Sequence, residues 1–150
     1  MSKRDPGLFL FDTFIAITKI EHTVSNFNTP DDLKHDYLSW DSVMREYTII
    51  GEATKHLISN DLLDKDKQRI VDFRNLIVHH YFGIDEDAVW DTTKEDLPLF
   101  QSIIIEHIKN MDQTLYQELY GDFLLENKHL AFVIQALEGL KISTFAHRFQ

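Results

Sequence analysis

The chain has 150 residues, of which 43% are hydrophobic and 27% charged, which is enough for one buried core and too few for two independent ones. Its formal net charge of −10 argues against nucleic-acid binding through a broad basic surface, so any contact with RNA must be local. The absence of cysteine excludes disulfides, thiolate metal sites and a cysteine nucleophile, and it fits the reducing cytoplasm where we expect the protein to act.

No segment of the sequence marks a membrane span or a domain boundary. The longest apolar runs, such as Ile103-Ile104-Ile105, are far shorter than a helix that crosses a bilayer. The N-terminus lacks the apolar stretch of a signal peptide, and no Gly-, Ser- or Pro-rich linker interrupts the chain. We therefore predict a single domain over residues 1–150 with no membrane contact.

The first part of the chain predicts three helices. After Pro6-Gly7, apolar residues recur every three to four positions up to Ser25-Asn26, which indicates an amphipathic helix. Thr29 followed by Pro30 is typical of a helix start, and predicts a short helix that leads into a long one from about Leu38 to Ile58. The apolar stripe of this long helix contains Val43, Tyr47, Ile50, Thr54 and Leu57.

Gly51 lies inside this long helix, where glycine costs about 1 kcal/mol relative to alanine. We expect it to mark a close approach between two helices rather than a break. Asn60-Asp61 predicts the end of this helix. The next helix is predicted from about Asp64 to Phe82, with Gly83 as its C-terminal cap.

The second half of the chain is also helical in pattern. A short helix is predicted to start at Asp85 or Glu86 and to run through Trp90. Asp96 with Pro98 predicts the start of a long helix whose apolar residues continue to Leu115, and Tyr120-Gly121 predicts a break after it. A last helix is predicted from about Asn127 to Leu140. Because no segment alternates with period two, the predicted fold is all-α, an up-and-down helical bundle.

Polar residues that could take part in catalysis or binding concentrate at the end of the helix predicted before Gly83. Residues seven apart share a face of a helix, so Arg74 and Tyr81 lie on one side, whereas Asn75 and His79, four apart, share another. His79 and Tyr81 then point about 160° apart in ideal helical geometry. One explanation is structural, a polar helix end in which Arg74 forms a salt bridge.

The other explanation is catalytic. Histidine exchanges protons near neutral pH, and arginine binds phosphate through two parallel hydrogen bonds. With no carboxylate cluster at metal-ligand spacing, Arg74 and His79 suit metal-free RNA cleavage, in which a base removes the 2′-hydroxyl proton and a cation stabilises the charged phosphorane. One His79 supplies either the base or the acid. A two-fold dimer would bring two copies into one cleft.

The sequence resembles a HEPN domain of the HepT-like branch, the toxin half of a toxin–antitoxin pair. The resemblance rests on Arg74-Asn75 with His79-His80-Tyr81-Phe82-Gly83, on Ile49-Ile50-Gly51-Glu52-Ala53, and on Val89-Trp90 followed by Asp96-Leu97-Pro98. It covers about residues 8–115. The remainder, about residues 120–150, would be an extra C-terminal helical segment, either a further layer of the bundle or an element that docks a partner.

The resemblance implies a type VII-like system in which a homodimeric, metal-independent endoribonuclease without cofactors cleaves RNA, tRNA being one substrate class, at a site in the dimer cleft. It implies Arg74 and His79 as catalytic residues and Asn75 as a supporting polar residue. The partner would be a minimal nucleotidyltransferase antitoxin that inactivates the toxin by adding AMP to Tyr81. Glu52 either faces this cleft or ties two helices together.

Two alternatives to catalysis remain. HEPN-type folds also serve as non-catalytic subunits that bind nucleotides or a nucleotidyltransferase, and a plain helical oligomerisation protein would use the motif only to stabilise a dimer. His80 beside His79 lacks a second ligand pair for a metal, so we expect it in the core or at a dimer contact.

Overall fold

The computed structural model describes residues 5–79 and 83–148, and the side chains of all of these except residues 73, 75–79 and 141–148. Within this part of the chain the fold is all-α, as predicted, and contains no strand. Its α-helices, in chain order, are α1 (Pro6–Val24), α2 (Pro30–His35), α3 (Tyr37–Ser59), α4 (Gln68–His79), α5 (Glu86–Asp91), α6 (Leu97–Lys109), α7 (Gln113–Glu126) and α8 (Ala131–Arg148).

Helix α1 lies at the centre of the bundle. It packs against α3, α6, α7 and α8, while α3 also packs against α4. The buried face of α1 includes Phe11, Ile17 and Ile20, all without measurable exposure. The apolar stripe predicted for α3 is buried as expected, and a contiguous core runs from α1 to α8. Among the described residues, no helix is long and apolar enough to cross a membrane.

Side-chain caps explain why the first helices begin where they do. Asp5 accepts a hydrogen bond from the Gly7 N–H at 2.8 Å, so Pro6 occupies the first turn of α1 instead of preceding it. Thr29 accepts from the Asp32 N–H at 3.1 Å and starts α2, as predicted. Asp36 then accepts from the Ser39 N–H at 3.1 Å, which lets α3 start at once.

The connection from α3 to α4 agrees with the sequence in outline. Asn60 ends α3, and Asp61 has a φ of 60°, a left-handed conformation that aspartate tolerates better than most residues. The helix predicted from about Asp64 begins as a 3₁₀ turn, Lys65–Lys67, before α4. The predicted helix end at Phe82 lies outside the described residues, so the capping role of Gly83 remains a prediction.

The helix boundary predicted at Asp96 is present, since α6 begins at Leu97, but it is not a free helix start. Asp85 caps α5 as expected, accepting from the Asp87 N–H at 2.9 Å, but the helix then continues through a π-helical turn, Thr92–Asp96, into α6. The Leu97 N–H bonds to the Thr92 carbonyl, and Asp96 makes no side-chain cap. A proline ring clashes with the carbonyl four residues before it, so we attribute this wider turn to Pro98.

The boundaries after α6 also differ from the prediction. The apolar pattern predicts one helix as far as Leu115, but α6 ends at Lys109 and Asp112 caps α7 by accepting from the Leu115 N–H at 3.0 Å. Tyr120-Gly121 is not a break, because both residues lie inside α7. Helix α7 packs against the core through three buried residues, Tyr116, Leu119 and Tyr120.

Candidate active site at the contact between α3 and α4

Gly51 permits an unusually close approach of α3 and α4. A Cβ atom at this position would collide with both Cβ and Cγ of Arg74. These atoms lie near the α4 backbone, so they cannot swing away as the tip of a flexible side chain could. The expected close helix contact at Gly51 is therefore confirmed, and the residue packed against the glycine is the arginine of the predicted site.

An ion pair with Glu52, the residue after Gly51 on α3, also holds Arg74 in place. The Arg74 Nη2 group donates a hydrogen bond to Glu52 Oε1, joining α4 to α3 beside Gly51. The side chains of Arg74 and Glu52 are 23% and 44% exposed, so the pair sits at the edge of the contact rather than in the core. The Arg74 side chain is thus held in position and remains partly exposed.

Glu52 ties two helices together, one of the two roles expected for it. Its second expected role, facing a ligand in a cleft, remains a prediction. Because arginine presents donors in a planar fork, a carboxylate on one side can orient the fork without covering all of it. A phosphate oxygen approaching Arg74 would meet a group that is already oriented.

The other predicted site residues are described only in part. The α4 backbone is helical through Asn75 and His79, so these residues share a face of the helix, but their side chains lie outside the described part. Tyr81 lies outside the described residues altogether. Of the predicted constellation, the structure therefore brings together Arg74 and Glu52, and the places of Asn75, His79 and Tyr81 in the site remain predictions.

A cavity of about 710 Å³ opens one helical turn before Arg74. On α4 its wall includes Ile70, four residues before Arg74, and on α3 it includes Ile50, directly before Gly51. The wall also includes Arg69 of α4 and Asp96, just before α6, neither of which belongs to the site predicted from the sequence. No sequence signal points to that use, since Asp96 with Pro98 resembles an ordinary helix start.

A buried hydrogen-bond chain supports the wall of this cavity. The Thr93 hydroxyl donates to the Val89 carbonyl at 2.8 Å, and Tyr47 Oη lies 2.6 Å from Thr93 Oγ1. Because Thr93 has one hydroxyl proton, Tyr47 is the donor in the second bond. Burial raises the pKa of the Tyr47 phenol well above its ordinary value; the bond to Thr93 opposes this shift and Asp96 adds to it. Tyr47 therefore stays neutral and joins α3 to the π turn.

Comparison with known proteins gives one family match. Residues 15–108 match the family described as "HepT-like: Ribonuclease HepT-like". This range contains Gly51, Glu52 and Arg74 and ends within α6, so α7 and α8 lie beyond it.

Curated relatives agree with that match. The chain is 32% identical over 102 residues to "Putative RNase MJ1380" of Methanocaldococcus jannaschii, covering 65% of this chain and 92% of that protein. It is 31% identical over 116 residues to "Putative RNase MJ0127" of the same organism, covering 75% and 94%. It is 34% identical over 100 residues to "Probable ribonuclease HepT" of Thermococcus cleftensis, covering 64% and 89%. No solved structure matches the chain significantly.

Proposed function

The chain belongs to the HepT-like ribonuclease family, and on that premise we propose that it is a metal-independent endoribonuclease, the toxin of a type VII-like toxin–antitoxin system, with tRNA as a candidate substrate. The observation that carries the proposal is the position of Arg74, held over Gly51 and paired with Glu52 at a reachable edge. A fixed cation at such an edge suits a phosphodiester, whose charge increases during cleavage.

In the proposed reaction His79 acts as the base. It removes the 2′-hydroxyl proton of the RNA, the 2′ oxygen attacks the adjacent phosphorus, and the bond from phosphorus to the 5′ oxygen breaks. Arg74 donates hydrogen bonds to the phosphate oxygens as their negative charge grows. Asn75, one turn before His79, would orient the imidazole ring or contact the substrate.

We place this chemistry in a homodimer because one chain offers a single His79 for two proton transfers. The 5′ oxygen must receive a proton as it leaves, and the His79 of a second copy could provide it. The negative net charge of the chain makes a narrow cleft between two copies of Arg74 more plausible physically than an open RNA-binding surface.

Control by a minimal nucleotidyltransferase antitoxin completes the proposal. That enzyme would transfer AMP from ATP to the Tyr81 phenol, releasing pyrophosphate. The added phosphate and adenine would bring negative charge and bulk to the end of α4, where an RNA phosphate must enter. The modified toxin would then be silent.

Cleavage by purified protein tests the mechanism. Wild type should degrade RNA in the presence of EDTA, and His79→Ala should lose the activity while keeping its melting temperature. Equal degradation by both proteins would rule out the role of His79, and loss of wild-type activity in EDTA would rule out metal independence.

Mixed dimers test whether two chains share the site. A dimer of one wild-type chain and one His79→Ala chain should lose nearly all cleavage, since the shared cleft then holds one histidine for two proton transfers. If this mixed dimer keeps about half of the wild-type rate, each chain works with its own residues.

Intact mass tests Tyr81. Co-expression with a minimal nucleotidyltransferase of the proposed antitoxin type should add the mass of one or more AMP units to wild type and none to Tyr81→Phe. An equal gain in the variant would move the acceptor elsewhere.

The pairing of Arg74 with Glu52 also favours a second function, that of a non-catalytic subunit that binds a nucleotide or a nucleotidyltransferase. An arginine paired with a glutamate can hold two helices together without taking part in catalysis. Growth after induction separates the two functions. A toxin should arrest growth in wild type and become harmless as Arg74→Ala, whereas a binding subunit should be harmless in both forms.

A further inference from the structure

The cavity one helical turn before Arg74 has an apolar floor. It is lined by Tyr47 and Phe100, which are 3% and 5% exposed, and by Ile50 and Ile103. Its volume of about 710 Å³ lies within the range of roughly 300–1,000 Å³ that is typical of small-ligand sites. Such a floor suits a planar, weakly hydrated group.

The rim of the cavity carries charges of both signs. Lys67 and Arg69 line it together with Asp66 and Asp96, and Lys67 forms an ion pair with Asp66 at 3.3 Å. The two cations and two carboxylates cancel, so the cavity offers little net attraction to a bare phosphate. It favours a ligand that presents donors and acceptors side by side, as the edge of a nucleobase does.

The π turn builds one side of this rim. Thr92 and Asp96 lie at the two ends of the turn, and the bond from Tyr47 to Thr93 anchors its second residue to α3. Such turns are rare in helices and concentrate at functional sites. Asp96 makes no capping bond within its helix. Its carboxylate is positioned by the turn without serving the helix start.

The cavity also lies at a useful distance from the proposed cleavage site. Ile70 and Arg74 are four residues apart on one face of α4, a rise of about 6 Å along the helix axis. A nucleotide next to the phosphodiester at Arg74 could therefore place its base in the cavity. Unstacked bases of single-stranded RNA are commonly read in this way, against aromatic rings and along their hydrogen-bonding edges.

We propose that this cavity is a base-binding subsite that takes one unstacked nucleobase of the RNA substrate, with Asp96 accepting a hydrogen bond from an exocyclic amino group and Arg69 donating to a base acceptor. The subsite would set the sequence preference of cleavage, and its role in RNA recognition rests on the proposed ribonuclease function. Adenine, guanine and cytosine carry such an amino group, and uracil does not.

Binding of mononucleotides tests the subsite without any need for cleavage. Nuclear magnetic resonance titrations of the wild-type protein with AMP, GMP, CMP and UMP at millimolar concentration should shift signals of Ile50, Ile70 and Ile103 for at least one of the first three. UMP should bind roughly tenfold more weakly than the best of them, as expected for one lost base contact. No shift at these residues with any of the four would overturn the proposal.

Matched substitutions test the two rim residues. Asp96→Asn should reduce the preference for the best-binding mononucleotide over UMP about tenfold, because the amide can donate to uracil where the carboxylate cannot. Glu95→Gln, which makes the same charge change on the adjacent exposed residue outside the cavity, should leave the preference unchanged. Arg69→Gln should weaken the best mononucleotide, and Lys65→Gln should not. Equal effects within either pair would show that only net charge matters, which contradicts the subsite.

Failure of the subsite and failure of the proposed function are distinguishable. A protein that binds mononucleotides in the cavity but cleaves no RNA would contradict the ribonuclease and keep the subsite. A protein that cleaves RNA, binds no mononucleotide here and has these residues covered by a nucleotidyltransferase would overturn the subsite in favour of a protein-docking surface.

Discussion

The contacts of helix α3 with α1 and with α4 differ in character. Toward α1 the Phe9 and His56 rings stack with centroids 4.4 Å apart, and Glu46 is buried within 3.8 Å of Lys19. Toward α4 the helices meet at Gly51, where the half-exposed pair of Arg74 and Glu52 replaces an apolar seam.

This difference separates stability from function. Burial dominates the α1 side, so changes there should mainly alter the free energy of unfolding. On the α4 side the close approach fixes a cation near the surface, so changes to the ion pair of Arg74 and Glu52 should alter RNA cleavage more than folding. The predictions below run from the largest expected change in stability to the smallest.

Removing a buried side chain of α3 should have the largest effect. Leu57 is fully buried, so Leu57→Ala should lower the free energy of unfolding by about 2–5 kcal/mol, as is usual for a leucine removed from a core. Leu38→Ala, on the same helix but 68% exposed, should change it by less than about 0.5 kcal/mol. Urea denaturation measures both, and similar losses would contradict the assignment of the core.

Gly121 and Gly51, each inside a helix, should respond in opposite directions to substitution by alanine. At Gly121 an added Cβ meets open space, so Gly121→Ala should raise the free energy of unfolding by about 1 kcal/mol through helix propensity. At Gly51 the added Cβ collides with Arg74, and overpacking at about 1–3 kcal/mol should outweigh that gain. Thermal unfolding should show one variant stabilised and the other destabilised; two stabilised variants would refute the close contact.

Glu52→Gln should change activity more than stability. Half-exposed ion pairs contribute about 0–1 kcal/mol, so the melting temperature should fall little. RNA cleavage should fall more clearly, because Arg74 loses the partner that orients it. Unchanged cleavage together with a large loss of stability would contradict this prediction. It would show that the pair of Arg74 and Glu52 serves only the structure.

Glu46→Gln should have the smallest effect on the free energy of unfolding, and that effect should depend on pH. Burial raises the pKa of this carboxyl above its ordinary 4.5, although Lys19 and Arg45 oppose the shift. The folded state then binds the proton more tightly than the unfolded state, so this contribution to stability is present below pH 4.5 and is lost as pH rises through the raised pKa. Glu46→Gln should flatten the stability curve there; an unchanged slope would contradict the burial.

Much of the fold follows from local signals in the sequence. Thr29 and Asp85 are helix caps whose effect is confined to a few neighbouring residues, and both helix starts were predicted correctly. The π turn and the end of α6 were not predicted. Apolar residues continue at helical spacing through Asn110, so periodicity alone does not reveal that Asp112 starts a new helix.

The site was predictable in its residue types and only partly in its geometry. Gly51 in mid-helix indicated a close approach, but nothing in the sequence says that Arg74 is the residue it meets. The ion pair with Glu52 joins residues 22 positions apart on different helices, which spacing within one helix cannot predict. Arg69 and Asp96 line one cavity only because α4 and the π turn both face it.

The rate of RNA cleavage by Arg74→Ala tests the central claim most directly. Purified wild type and variant would be compared on the same RNA, with melting temperatures measured on the same samples. The account predicts at least about a hundredfold loss of rate, typical of removing one group that stabilises developing charge, with little change in melting temperature. Cleavage at the wild-type rate by the folded variant would contradict it.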